Sequence, residues 1–270
     1  MIIDCFMFFN ELDMLERRLK YLYDVVDYFV IVESNITHAG NHKPLNFRQN
    51  MSRYRPYLDK IIYSPIHLDP AHFDFAKPVT SLDLTHAAWQ VEHLQRNHIT
   101  ETLKFFDDYD VVMVGDCDEI PYRHIIPTIA DTLHASAYNL CVLEQQLFYY
   151  NFKKLQIPTW YGTAVTFNGA AKQTGTQWLR DYRMEFVSIQ NAGCHLSYWG
   201  DANYIQQKIK NFSHQEYNTP EYTDLGNIQT AIESGADLYN RASCSIDFNP
   251  AVLPADFYRT FNNVAHTLDA

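Results

Sequence analysis

What this chain lacks narrows its function first. No apolar stretch approaches the ~18 residues that a membrane span requires. Basic residues are in deficit, 21 Lys and Arg against 32 Asp and Glu, for a formal net charge of −11. That balance argues against nonspecific binding to nucleic acid or to an anionic membrane. An acidic protein that takes an anionic substrate needs local positive groups or a metal to offset its own field. The five cysteines (Cys5, Cys117, Cys141, Cys194 and Cys244) are dispersed and form no Cys-x-x-Cys. They read as reduced thiols rather than a disulfide framework or a zinc cage. Neither Gly-x-x-x-x-Gly-Lys-Ser/Thr nor Gly-x-Gly-x-x-Gly is present, so no glycine loop is set to cradle phosphate. Gly-x-Ser-x-Gly and His-Glu-x-x-His are missing too. The apolar start, Met1 to Phe9, has no basic n-region and no small-residue cleavage site. It reads as a first strand, and the expectation is a soluble, cytoplasmic protein with no membrane span.

What is present fits one large α/β domain. The 270 residues are 47% apolar, enough to fill a core, and no linker rich in Pro, Gly or Ser divides them. The 19 Tyr and 17 Phe suit stacking on sugars and bases, but they also pack cores. Strand candidates are Ile2 to Phe9, Tyr28 to Val32, Lys60 to Tyr63 and Val111 to Val114. Leu12, Leu15, Leu19 and Leu22 recur at helical spacing after the first strand. A long helix is predicted over Ser81 to Phe106, capped by Thr80 or Ser81, with Leu84, Ala87, Ala88, Val91 and Leu94 on its apolar face. This alternation predicts a mostly parallel sheet with right-handed crossovers. After Pro121, strands are predicted over Tyr138 to Tyr150 and Tyr161 to Phe167. Gly, Thr and Trp punctuate Asn168 to Trp178, and helices are predicted over 201–217 and 225–241.

One segment carries more chemistry than the rest. The apolar run of Val111 to Val114 stops at Gly115-Asp116-Cys117-Asp118-Glu119-Ile120-Pro121. Ligands of α/β sheets bind beyond the carboxyl ends of the strands. Three carboxylates packed this closely repel, and they stay ionised together most easily with a cation among them. Oxygen ligands favour Mg2+, Mn2+ or Ca2+ over Zn2+, and the usual companion of a carboxylate-held Mg2+ or Mn2+ is a substrate phosphate. A solvated turn or helix N-terminus is the plain alternative.

Other residues point to the same crevice. Asn10, Glu11 and Glu33 follow the first two strands, where helix capping would also explain the first two. Arg96, in Gln95-Arg96-Asn97, offers a fixed fork for phosphate or carboxylate. His195, in Gly193-Cys194-His195-Leu196-Ser197-Tyr198-Trp199-Gly200, is a candidate metal ligand or diphosphate contact. Lys208, on a predicted helix, could meet a phosphate, with a solvated lysine as the plain alternative. Arg180, Asp181 and Arg183 sit together near Trp178 and Tyr182, a set suited to a sugar or phosphate or to a salt-bridged surface.

Taken in order, these motifs resemble glycosyltransferase family 17. They are Phe9-Asn10-Glu11-Leu12-Asp13-Met14-Leu15-Glu16-x-Arg18-Leu19, Val32-Glu33-Ser34-Asn35-x-Thr37-His38-x-Gly40-x-x-Lys43-Pro44-Leu45, Gln95-Arg96-Asn97, the acidic motif, and Gly193 to Tyr198. The resemblance covers roughly residues 1–240. It implies a GT-A-like, Rossmann-like fold with 1–121 as the nucleotide-sugar half and 122–270 as the acceptor half. It also implies a UDP-sugar donor, N-acetylglucosamine as the expected sugar, a glycan acceptor, Mn2+ or Mg2+, and inversion at the anomeric carbon. On that basis Asp118 ligates the metal directly, Asp116 binds the ribose or reaches the metal through water, and His195 is the extra ligand. Animal members are Golgi proteins with an N-terminal anchor, whereas this sequence starts almost directly in its first strand, so a soluble microbial or viral homologue or a trimmed form is expected.

Inversion needs a carboxylate to take the acceptor hydroxyl's proton. The candidates are Glu119, next to the acidic pair, and Glu144, Asp181 and Glu185 from the acceptor half, with Asp181 or Glu185 favoured. The competing readings are a metal-dependent hydrolase of phosphoesters or nucleotide sugars, and a carbohydrate-binding protein without catalysis.

Overall fold

The first half folds into parallel strands, as the alternation predicts. In chain order, β1 (Ile2–Phe8), α1 (Leu12–Leu22), β2 (Tyr28–Ser34), the single turn α2 (Asn46–Gln49), β3 (Ile61–Ile66), α3 (Ala87–Leu103) and β4 (Val111–Asp116) form this half in the computed structural model. The structure describes residues 1–136, 138–241 and 245–262; Cys244 lies outside them. The chain continues with β5 (Glu119–Pro121), α4 (Ile129–Ala135), β6 (Leu140–Tyr149), β7 (Lys154–Phe167), α5 (Asn168–Thr174), α6 (Thr176–Tyr182), β8 (Val187–Ser197), α7 (Ala202–Asn211), α8 (Pro220–Thr223), α9 (Leu225–Ser234), β9 (Ile246–Asp247) and α10 (Ala255–Phe261).

One sheet joins both halves in the order β3-β2-β1-β4-β7-β6-β8-β5, with β9 pairing β7. The strands β3, β2, β1 and β4 are all parallel. Beyond β4 the mostly parallel expectation gives way to a mixed sheet. β7 runs antiparallel to both β4 and β6, and only β6 and β8 are parallel there. The cause is local. Only residues 150–153 separate β6 from β7, with Tyr150 at φ 65°, so the chain turns straight back as a hairpin; a parallel return needs a crossover of a dozen residues or more.

The parallel strands are buried on both faces, which explains their unbroken apolar runs. Ile3, Cys5, Val112 and Val114 pack with Ile99 and Leu103 of α3 on one face. Phe6, Phe8, Val111 and Met113 pack with Met14, Leu15, Leu19 and Leu22 of α1 on the other. Each such aliphatic side chain contributes on the order of 1.5–3 kcal/mol.

Several element boundaries differ from the sequence reading. Helix α3 starts at Ala87, capped by His86, whose Nδ1 accepts from Ala88 N at 3.1 Å. The preceding residues instead fold around Asp83, which accepts from Thr85 N and Thr85 Oγ1. Leu84 and Leu94 are 57% and 44% exposed, so the buried stripe is Ala87, Ala88, Val91, Gln95, Ile99 and Leu103. β7 begins seven residues before Tyr161. Residues 168–178 lie in α5 and α6, divided at Gly175, where φ is +83°. The two late helices end at Asn211 and Ser234; Gly235, at φ +69°, stops the second in left-handed backbone, as glycine after a helix commonly does.

Candidate functional site

The carboxyl ends of β1 and β4 lie side by side, with Met7 in register with Asp116. They open onto a cavity of about 520 Å³ lined by residues of both halves. Three polypeptide segments deliver the acidic motif to it. β4 carries Asp116. The short β5 pairs antiparallel with β8, which sets Glu119 opposite His195 and Pro121 opposite Gly193. The backbone N–H of Leu196 donates to the Asp118 carbonyl at 2.8 Å. Close strand approach requires a glycine at 193, because a Cβ there would stand 2.3 Å from the Ile120 carbonyl oxygen.

Side-chain cations separate the three carboxylates. Asp116 accepts from Arg96 Nη2 at 3.0 Å and from Arg180 Nη2 at 2.8 Å. Glu119 is fully buried and accepts from Arg180 Nη1 at 2.8 and 2.9 Å and from Trp160 Nε1 at 2.9 Å. Its Oε2 also accepts from the Asp116 backbone N–H at 3.1 Å, bracing the loop. Asp118 accepts from Lys208 Nζ at 2.7 Å through Oδ2, and its Oδ1 stands 3.3 Å from His195 Nε2. Burial opposes the charge on Asp116, but Arg180 and Arg96 outweigh it and hold the carboxyl well below its usual range. Burial likewise opposes Asp118, and Lys208 and His195 outweigh it. Asp116 and Asp118 therefore stay ionised near each other through Arg96, Arg180 and Lys208. Part of the cation charge expected among the acids is thus supplied by side chains.

Arg18, which the sequence reading placed only in a motif, anchors the loop from beneath. It is fully buried and forms a bidentate pair with Asp4 at 2.8 and 2.7 Å. Its Nη1 also donates to the carbonyls of Asp116, Cys117 and Glu119 at 3.0, 3.2 and 2.6 Å. The guanidinium stands 4.4 Å from the Phe6 ring centroid. The signal was available, since position 18 shares the face of α1 that carries Met14, Leu15, Leu19 and Leu22. Glu92 was missed too. It pairs with Arg96 at 2.8 Å, lies 3.8 Å from His38 and lines the cavity. The i, i+4 spacing to Arg96 was its signature. Gln177, which accepts from Arg96 at 2.8 Å, and Trp160 were also unread.

The remaining candidates divide clearly. Glu11 lines the cavity, and its Oε2 accepts from the backbone N–H groups of Phe9 and Asn10 at 3.0 Å each. Asn10 is half-buried, outside the cavity lining. Glu33 is a correction: fully buried, it is engaged by Lys43 Nζ at 2.7 Å, Asn46 N at 2.5 Å, Phe47 N at 3.1 Å and Tyr63 Oη at 2.9 Å. It pins the following loop, and its carboxylate faces protein partners on every side. Among the four candidate bases, only Asp181 lines the cavity; it accepts from Gln177 Nε2 at 2.8 Å. Glu119 is enclosed by Arg180 and Trp160, Glu185 is exposed outside the cavity, and Glu144 is half-buried in β6 outside it. Arg183 lines the cavity, donates to the Tyr161 and Arg180 carbonyls, and pairs with no carboxylate among the described residues.

The proposed metal set Asp116, Asp118 and His195 does not come together as one ligand group, because Asp116 is turned to its two arginines. No three His, Cys, Asp or Glu side chains converge on one point among the described residues. Asp118 and His195 do meet, presenting an oxygen and a nitrogen donor to the cavity.

The model of glycosyltransferase family 17 matches residues 1–250. The chain belongs to this family. Among curated relatives, the human and mouse β-1,4-mannosyl-glycoprotein 4-β-N-acetylglucosaminyltransferases are 33% and 32% identical over 120 residues. The match covers 42% of this chain and about a fifth of each relative's length. Among solved structures, S. aureus TarS 1–349 in complex with UDP-GlcNAc aligns with a TM-score of 0.42 at 10% identity, covering 87% of this chain and 67% of that one. No helix of the described residues is long and apolar enough to cross a membrane.

Proposed function

We infer that this family 17 chain transfers a sugar from a UDP-sugar donor to a glycan hydroxyl with inversion, N-acetylglucosamine being the expected sugar. The observation that carries this reading is the lining of one cavity. Acids at the end of β4, the cations Arg96, Arg180, Arg183 and Lys208, and an acceptor-half carboxylate, Asp181, all face it. The positive groups suit a diphosphate in a chain whose overall charge would repel one.

Asp118 and His195 would hold a divalent cation, Mn2+ or Mg2+. Their donor atoms lie 3.3 Å apart, and both residues line the cavity. When bound, the cation neutralises charge on the departing diphosphate. Arg96 and Arg180 fix Asp116 at the strand end. Arg183 and Lys208 supply positive charge toward the diphosphate. Asp181 accepts the proton of the acceptor hydroxyl as its oxygen attacks the anomeric carbon. The bond from that carbon to the phosphate oxygen breaks, and UDP leaves with the bonding pair.

The test is calorimetry of UDP with and without Mn2+ on wild type and Asp118→Ala, followed by product analysis with UDP-GlcNAc and glycan acceptors. Binding that needs both the metal and Asp118, with turnover that needs an acceptor, supports the transferase. UDP release equally fast without acceptor would make the protein a hydrolase. Sugar binding with no UDP release would make it a binder.

A further inference from the structure

We propose that Lys208 is a resident counter-cation of Asp118 that must release one carboxylate oxygen before a divalent cation can share it, so that metal and UDP-sugar bind as a coupled pair. The proposal rests on the metal reading above.

Both oxygens of Asp118 are engaged, Oδ2 by Lys208 Nζ at 2.7 Å and Oδ1 facing His195 Nε2 at 3.3 Å. The carboxylate and the lysine are both largely buried, so solvent screens their attraction weakly. A divalent cation entering beside His195 would meet an ammonium already seated on its main ligand. Like charges within ~4 Å of each other in a partly buried site repel strongly. A metal alone therefore either displaces Lys208 or shares Asp118 at a cost. A nucleoside diphosphate changes the balance, because its oxygens bring enough negative charge for the lysine and the metal together. The Lys208 Nζ also stands 5.6 Å from the Tyr198 ring centroid while paired with Asp118, so a cation–π contact is already in place to hold the ammonium when the carboxylate oxygen is released. Helix α7 anchors the base of the side chain, with Tyr204, Ile205 and Ile209 buried, so the exchange asks for rotation of one side chain and no movement of the fold.

By linkage, metal and nucleotide then raise each other's affinity by the same factor. In wild type that factor should be large. In Lys208→Met, which keeps the stem and deletes the charge, Mn2+ binding without nucleotide should tighten by about tenfold or more, and the coupling to UDP should shrink by a similar factor.

The experiment is Mn2+ titration, by calorimetry and by the electron spin resonance of free Mn2+. Wild type, Lys208→Met and Asp118→Asn are each measured without nucleotide and at saturating UDP. Tighter Mn2+ binding by Lys208→Met in the nucleotide-free state, with weaker coupling, supports the proposal. Unchanged nucleotide-free Mn2+ affinity in a folded Lys208→Met overturns it, even if UDP binding weakens, because Lys208 would then be a phosphate contact only. If wild type binds no Mn2+ at saturating UDP, or Asp118→Asn binds it as well as wild type, the metal assignment itself falls.

Discussion

Replacing Arg18 with Met should separate what this side chain does for stability from what it does for the site. The substitution leaves Asp4, 0% exposed, as a buried carboxylate without its counter-charge, and removes a donor from three loop carbonyls. Removing one partner of a buried ion pair typically costs roughly 3–5 kcal/mol. Against a total stability of about 5–15 kcal/mol, the protein should remain folded but weakened. For a domain of this size the melting temperature should fall by roughly 6–20 °C. Adding Asp4→Leu removes the stranded charge, so the double variant should recover much of the loss; buried pairs replaced by apolar residues are often near neutral. The carbonyls of Asp116, Cys117 and Glu119 stay unanchored in both variants, so UDP affinity should remain low in the double variant even as stability returns. Urea unfolding with a common m-value measures the first quantity, and UDP calorimetry the second. A double variant as unstable as Arg18→Met would refute the ion-pair argument. Recovery of UDP affinity in step with stability would refute the anchoring argument.

Other outcomes follow from the same geometry. Asp181→Asn should lower kcat by about 10²–10⁴-fold with donor KM near wild type, while Glu144→Gln and Glu185→Gln stay close to wild type; steady-state kinetics with varied donor decide it. Gly193→Ala must force β5 away from β8 and should destabilise by about 1–3 kcal/mol, read as an earlier urea midpoint; an unshifted midpoint would mean the strands separate freely. Burial acts to raise the Glu92 carboxyl, yet Arg96 and His38 outweigh it and bring it down to about 2. A lowered carboxyl contributes stability that is complete above its unfolded value of about 4.3 and is lost as pH falls toward its folded value. The stability gap between wild type and Glu92→Gln should therefore be widest near neutral pH and close as pH falls from about 5 to 2. A gap that stays constant over that range in thermal unfolding would contradict the assignment.

The sequence alone determined the parts of this protein that depend on local pattern. Apolar runs buried on both faces read as parallel strands, and the polar residues beyond them were legible as candidates; the fold gathers Asp116, Asp118, Arg96, Arg180, Asp181, His195 and Lys208 around one cavity. The order of motifs pointed to the family that the comparison then showed. Elements whose limits depend on competing local contacts were misread: Asp83 holds residues before Ala87 out of α3, and the short connection between β6 and β7 turns the sheet antiparallel. Partner choice was illegible for a different reason. Charge pairing is decided by distances between segments far apart in the chain, such as Arg180 with Glu119 or Lys208 with Asp118. Sequence shows three clustered acids and implies a missing cation. Only the fold shows that arginines and a lysine supply it, that Glu33 is enclosed by protein partners, and that Arg18 holds the acidic loop from below. Electrostatic energy depends on separation and burial, and tertiary packing sets both.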